Sequence, residues 1–193
     1  MGTRHLICVF ADGEYKVAQY GQWDGYPEGQ GIDCLEFLRD RRDSRFEKNV
    51  KLCREFSGEE WKAIRKKYGE REDGSMRLDD YDRMSKDYPQ LSRDTSSDVL
   101  EMIQCSDGGL QLVRDLDFAA DSLFCEWAYV IDIDHRTFEE YRGFNREPLE
   151  ENDRFYFLES RSENGYHPVK LVGKWSLDDL PSNKEFCEAF QEC

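Results

Sequence analysis

No stretch of this chain is long and apolar enough to cross a bilayer. The longest apolar runs, Leu6 to Ala11 and Trp127 to Ile131, fall far short of the roughly 20 residues that a spanning helix needs. The start, Met1-Gly2-Thr3-Arg4-His5-Leu6, lacks the apolar stretch and small-residue cleavage site of a secretory signal, and Leu6 stands where a myristoylation signal places Ser or Thr. The expectation is a soluble, cytoplasmic protein with no membrane partner. Basic residues are also scarce: 27 Lys and Arg face 42 Asp and Glu, a formal charge of −15. Such a surface repels phosphate backbones, so nucleic acid is disfavoured, while a basic protein partner fits. The seven cysteines include no CxxC pair and no regular spacing, which argues against a disulfide framework or a zinc site and for reduced, buried thiols. No metal and no cofactor is expected.

What remains is ample for one packed domain. The chain has 193 residues, 38% hydrophobic and 13% aromatic, enough for a core despite the charge, which argues against a wholly disordered chain. His5 to Phe10 and Tyr15 to Tyr20, joined through Asp12-Gly13, read as a hairpin. The segment Gly21-Gln22-Trp23-Asp24-Gly25-Tyr26-Pro27-Glu28-Gly29-Gln30-Gly31 reads as an ordered loop that continues neither strand nor helix. Apolar spacing predicts helices from Ile32 and around Phe46 to Cys53, and a capping box at Ser57 begins a third. A charged surface excursion spans 69–94, Thr95 to Asp98 caps a further helix, and Ser182 or Asn183 caps a short terminal one running to Phe190. Leu123 to Asp134 reads as a long strand, Thr137 to Tyr141 as its return, and Phe155 to Leu158 as another strand. Strands at the start, helices in the middle and a late hairpin make the fold class α+β with a mostly antiparallel sheet, in one domain over 1–193.

The glycine-rich loop is the most unusual feature. It has no phosphate-loop register, and Asp24 and Glu28 put negative charge where a phosphate would sit. A cationic or hydroxyl-bearing ligand fits better, with Tyr20, Trp23 and Tyr26 as aromatic faces and Asp24 as counter-charge. The competing structural reading is a rigid turn in which Asp24 pairs with Arg4. The hairpin brings Arg4, Gln22 and Asp24 within reach of one another, a cluster able to orient a carboxylate or amide. Period-two alternation puts Cys125, Trp127 and Tyr129 on one strand face and Glu126, Asp132 and Asp134 on the other, as acids facing water unless Glu126 enters a cavity and serves as acid or base. Cys8, Cys34 and Cys125 are candidate nucleophiles and His5, His135 and His167 candidate bases, but no local signature joins any pair.

The strings Thr3-Arg4-His5-Leu6-Ile7, Ala18 to Gly31 and Asp121 to Tyr129 resemble a family of small hypothetical proteins common in filamentous fungi, with bacterial relatives. The resemblance implies that the loop and the segment Phe124 to Tyr129 belong together in one recurrent domain. Among formerly hypothetical fungal proteins of this size are the arginine-containing cyclodipeptide synthases. Their Asp-Asp-x-x-Glu signature is missing here, since Asp79-Asp80 is followed by Tyr81-Asp82-Arg83 and Asp178-Asp179 by Leu180-Pro181-Ser182.

Three functional expectations follow. The first is a small-molecule-binding domain with a pocket formed by Arg4, Tyr20, Gln22, Trp23, Asp24 and Tyr26 and closed by Cys125-Glu126-Trp127. The second is a biosynthetic enzyme acting on acyl or amide bonds, with Arg4 orienting the substrate and Asp24 or Glu126 as acid or base. The third is an acidic interaction or inhibitor protein.

Overall fold

The computed structural model describes residues 2–41, 44–161 and 165–189. Strands β1 (His5–Ala11) and β2 (Glu14–Gly21) form the expected hairpin. Between them Asp12, at φ 54°, and Gly13, at φ 77°, both take the left-handed conformation that matches the twist of paired strands. The loop that follows ends in a helical turn, Pro27–Gly31, running directly into α1 (Ile32–Asp40). This corrects the expectation of a loop without helix. Proline opens the turn at no cost, because the N–H it lacks would be unpaired there anyway.

Helix α2 (Arg45–Leu52) and the two-residue strand β3 (Arg54–Glu55) lead to α3 (Gly58–Lys67), where Ser57 and Glu60 form the capping box. The charged stretch 69–94 is more than a surface excursion. It contains α4 (Leu78–Asp87), whose Met84 packs with Phe56, Ile64 and Tyr68 in a small core of its own. Helix α5 (Asp98–Cys105) begins at Ser97 without a side-chain cap, its backbone N–H instead donating to Gln30 Oε1 at 2.9 Å.

After the two-residue strand β4 (Gln111–Leu112) come β5 (Trp127–Asp132), β6 (Thr137–Arg142), β7 (Lys170–Ser176) and α6 (Asn183–Glu188). Strand β5 is shorter than the run Leu123 to Asp134 suggested, and residues from Tyr156 form a 3₁₀ helix instead of a strand. Ser182 caps α6 as expected; Phe190, at the far end of the expected helix, and Cys193 lie outside the described residues.

The five long strands form one sheet in the order β2-β1-β5-β6-β7. Every pair is antiparallel except β1 with β5. The fold is α+β with a mostly antiparallel sheet. Helices cover one face, where Ile7, Val9, Tyr129, Ile131 and Phe138 meet Leu35, Phe46, Leu100, Ile103 and Phe186. Irregular chain covers the other, where Leu6, Cys8, Ala128, Val130 and Tyr141 meet Ala119, Leu149, Phe155 and Leu158. All six residues of β5 are buried, the condition under which a parallel pairing is usually found. Among the described residues no helix is long and apolar enough to cross a membrane.

The glycine-rich loop packs on the helical face through its backbone. A Cβ on Gly25 would lie 2.7 Å from both His5 Cβ and the Thr3 carbonyl oxygen, and one on Gly31 would lie 2.6 Å from the Phe186 ring. Gly25→Ala is therefore expected to lower stability by about 1–3 kcal/mol in urea unfolding at an unchanged m-value. A loss of only a few tenths of a kcal/mol would mean that the loop does not press on β1.

Candidate functional site

The residues singled out in the sequence separate into small pairings. Arg4 and Glu126 meet through the backbone: Arg4 N donates to Glu126 Oε1 at 3.3 Å, and Glu126 N donates to the Arg4 carbonyl at 3.0 Å. The Arg4 guanidinium lies over the Phe124 ring, 4.3 Å from its centroid, and among the described residues it pairs with neither Asp24 nor Glu126. The Tyr20 hydroxyl donates to Gln22 Oε1 at 2.7 Å, and Trp23 Nε1 donates to Asp94 Oδ1 at 2.9 Å. Asp24 is exposed and left-handed at φ 53°, and its carbonyl closes the turn by accepting from Gln30 N at 2.9 Å. Tyr26 is 51% exposed.

Trp127 points the other way from Cys125, into the helical-side core, while Cys125 packs on the opposite face. The expected alternation fails because Cys125 precedes the strand and sits in a turn, where its N–H bonds to the Asp121 carbonyl.

A wide concavity lies on the non-helical face. A cleft of about 870 Å³ opens there between Phe10, Tyr15, Phe157 and Leu171, with Asp132, Glu139, Tyr141 and Arg154 at its floor. None of the residues predicted from the loop or from Glu126 and Trp127 lines it. Its construction follows from the sheet register. Val130 pairs with Glu139, which pairs with Lys174, so the Glu139 carboxylate stands on the same face as Asp132, two residues along β5. Phe155 is fully buried, 4.9 Å from the Tyr141 ring and 6.1 Å from that of Tyr15, and anchors the segment that carries Arg154 across the sheet.

Arg154 then bridges two carboxylates that are buried from solvent. Its Nε donates to Glu139 Oε2 at 2.6 Å, and its Nη2 donates to Glu139 Oε1 at 3.0 Å and to Asp132 Oδ2. Glu139 also accepts from the Tyr141 hydroxyl at 2.7 Å and from Lys174 Nζ at 2.9 Å. Asp132 accepts from the His135 backbone N–H at 2.8 Å and lies 3.0 Å from His135 Nδ1. Asp132 was expected among solvent-facing acids; it is wholly buried, because the long connection after β6 covers this face. Asp134, expected beside it, accepts the backbone N–H groups of Asp12 and Gly13 at 3.0 and 2.8 Å.

The electrostatics follow from this geometry. Burial alone would raise the pKa of Glu139, but the hydrogen bonds from Arg154 and Tyr141 outweigh it and hold it at about 2. Asp132 is lowered as well, since the bonds from His135 and Arg154 overcome its desolvation. Burial raises the Tyr15 hydroxyl, and the neighbouring Arg154 guanidinium opposes that rise without cancelling it. The Arg154 guanidinium, held by these bonds, also lies 5.4 Å from the Phe10 ring centroid, so the cleft presents a fixed cation beside aromatic walls. The thiols offer no nucleophile here: Cys8, Cys34 and Cys125 are buried, and their pKa values are raised by burial. No group of His, Cys, Asp and Glu side chains suited to a metal ion occurs among the described residues.

Arg154, Glu139 and Tyr15 escaped sequence reasoning because they lie far apart in the chain and share no motif. One signal was available. Glu139 and Glu140 stand side by side in a strand bounded by Phe138 and Tyr141, which sends one carboxylate to each face of the sheet. Comparison of the chain with protein-family models, curated proteins and solved structures finds no match in any of the three. The reading of the cleft therefore rests on its own chemistry.

Removing the bridge leaves Glu139 only Lys174 and Tyr141, and Asp132 only His135, as the partners described above, so Arg154→Met is expected to cost about 1–3 kcal/mol of stability in denaturant unfolding. The acid limb gives an independent check. Glu139 is held below its ordinary 4.5, so its contribution is present above that pH and is lost as the pH falls from 4.5 towards about 2. Glu139→Gln should flatten stability over that window, as measured by urea midpoints at stepped pH; an unchanged slope would show that the pairing does not hold in solution.

Proposed function

We propose that the protein is a small-molecule-binding domain whose ligand occupies the cleft above Arg154. The observation that carries this reading is the guanidinium held in a fixed plane in a cleft lined by aromatic residues. Two buried carboxylates fix its plane where it lines an aromatic-walled cleft, an arrangement that orients an oxygen acceptor between apolar walls. A purely structural ion pair needs no cleft above it, and apolar residues of similar volume stabilise a core at least as well. The cleft is lined by five carboxylates, Glu14, Glu55, Asp132, Glu139 and Asp153, against the three cations Arg114, Arg154 and Lys174. With the chain at −15, this disfavours a polyphosphate and favours a neutral or zwitterionic ligand bearing a carbonyl or carboxyl oxygen and a flat apolar body.

The enzymatic alternative draws support from one feature, the Asp132–His135 pair at the edge of the cleft, where a carboxylate orients an imidazole whose side chain is mostly exposed. Among the described residues no serine, threonine or cysteine lines the cleft, and acyl or amide chemistry here would use water activated by His135.

The test is native mass spectrometry of the protein from its own host, set against the denatured mass. Binding predicts a retained small molecule. It should be lost in the triple variant Asp132→Asn, Glu139→Gln, Arg154→Met, which removes both carboxylates together with the guanidinium that they share. A bare mass in every charge state, or retention by the folded triple variant, would defeat the assignment to this cleft.

A further inference from the structure

The neighbour of Glu139 on β6 has the opposite fate. Glu140 is fully buried on the helical face, and neither carboxylate oxygen has a hydrogen-bond partner among the described residues. Leaving a buried polar group unpaired costs about 1–3 kcal/mol, and an apolar residue would fill this strand position without that cost. What bears on it is burial and a second acid, with aromatic rings alongside. Across the sheet Glu140 pairs with Tyr129 of β5, whose hydroxyl is committed to the Gly25 carbonyl at 2.9 Å, and with Gly173 of β7, which has no side chain. Above it lie the turn Pro27–Gly31, which contributes Glu28, and α6, which contributes Phe186 and Cys187. Lys174 of β7 is on the other face, bonded to Glu139. Glu28 is thus the charged group bearing on Glu140, and it has the same sign.

A carboxyl with two free oxygens, a second acid above it and aromatic rings around it, Tyr129, Phe138, Trp175 and Phe186, has the composition of a cation-recognition site. The free groups are hydrogen-bond acceptors, so the fitting cation is one that donates. We propose that Glu140 anchors a second binding site, beneath the glycine-rich loop and α6, for the N–H-bearing ammonium group of a small aliphatic amine. The site is separate from the Arg154 cleft, being on the opposite face of the sheet. Its cover is short: α6 has six residues and is tied to α1 by the Arg39 bonds to Asn183 and to the Pro181 carbonyl.

Burial and the charge of Glu28 raise Glu140 to about 8, so the carboxyl is mostly protonated at neutral pH and must ionise to receive an ammonium. Apparent affinity should then rise with pH as the ionised fraction does, by about 30- to 100-fold between pH 6 and 9 for an amine that stays protonated. Tyr129, Cys34 and Cys187 near the site are also raised by burial and supply no positive charge; Arg142, two residues along β6 on the same face, has its guanidinium 5.9 Å from the Trp127 ring centroid.

The experiment is a carboxyl carbon NMR titration of the full chain with butylammonium and, separately, with butyltrimethylammonium, a cation of equal charge and no N–H. Butylammonium should lower the Glu140 midpoint by at least about one pH unit and bind more tightly at pH 9 than at pH 6. Butyltrimethylammonium should leave that midpoint in place. Glu140→Gln should abolish the pH-dependent part of binding, and Glu28→Gln should weaken it several-fold. A Glu140 resonance unmoved by butylammonium, an equal response to both cations, or undiminished pH-dependent binding by Glu140→Gln would each overturn the site. The wild-type titration decides the matter even if a variant fails to fold, and Glu140→Leu provides a second carboxyl-free chain suited to the apolar surroundings.

Discussion

A sheet covered on both faces has nowhere to put a charge cheaply, and β6 carries two acids in succession. This constraint organises the molecule. Alternation sends Glu139 into one layer and Glu140 into the other, and each layer answers differently. The non-helical layer brings in Arg154, Lys174 and Tyr141 and turns Glu139 into the centre of a satisfied network. The helical layer brings in rings, a thiol and Glu28, and leaves Glu140 with its oxygens unpartnered. The same strand thus holds a carboxyl far below its ordinary range beside one far above it. Opposed shifts of this size on adjacent residues arise from local surroundings, not from the net charge of the chain.

The two layers also differ in how they are built. The helical side is assembled from short helices with aliphatic and aromatic faces, among them α1, α2, α5 and α6. The other side is covered by 3₁₀ turns and loops pinned by a few large residues, Phe155 above all. Irregular cover closes less completely than packed helices, which is a physical reason for the wide cleft to lie on that side.

Most of the secondary structure was legible in the sequence. The first hairpin was visible from Asp12-Gly13, α3 from Ser57 and Glu60, and α6 from Ser182, each a local signal with a local cause. The losses came where tertiary contacts decide. Met84 and Tyr81 sit in a stretch so charged that its helix looked like a solvated excursion, although a small core forms around them. Phe155 to Leu158 has strand-like composition but is bent into a 3₁₀ turn to cover the sheet. Strand β7 went unread because Lys170, Gly173 and Lys174 dilute its pattern at the sheet edge, where lysines are common. The loop residues were found to be ordered, yet they bond to one another and to Asp94, while the cleft residues come from β5, β6 and a distant connection whose meeting only the fold creates.

The bonds from Asp134 to the backbone of Asp12 and Gly13 have a kinetic meaning. They join residues 122 and 121 positions apart and clamp the tip of the first hairpin to the turn that follows β5. During synthesis the hairpin is complete early, yet the inner edge of β1 has no neighbour until β5 emerges more than a hundred residues later. Closing that loop carries an entropy cost before the parallel pairing returns any stability, so assembly of the central sheet is a slow, late event in folding. Asp134 acts at that moment as a register stop: the Asp12–Gly13 turn offers its carboxylate two adjacent N–H donors, and a strand slipped by one residue would forfeit both along with its buried face.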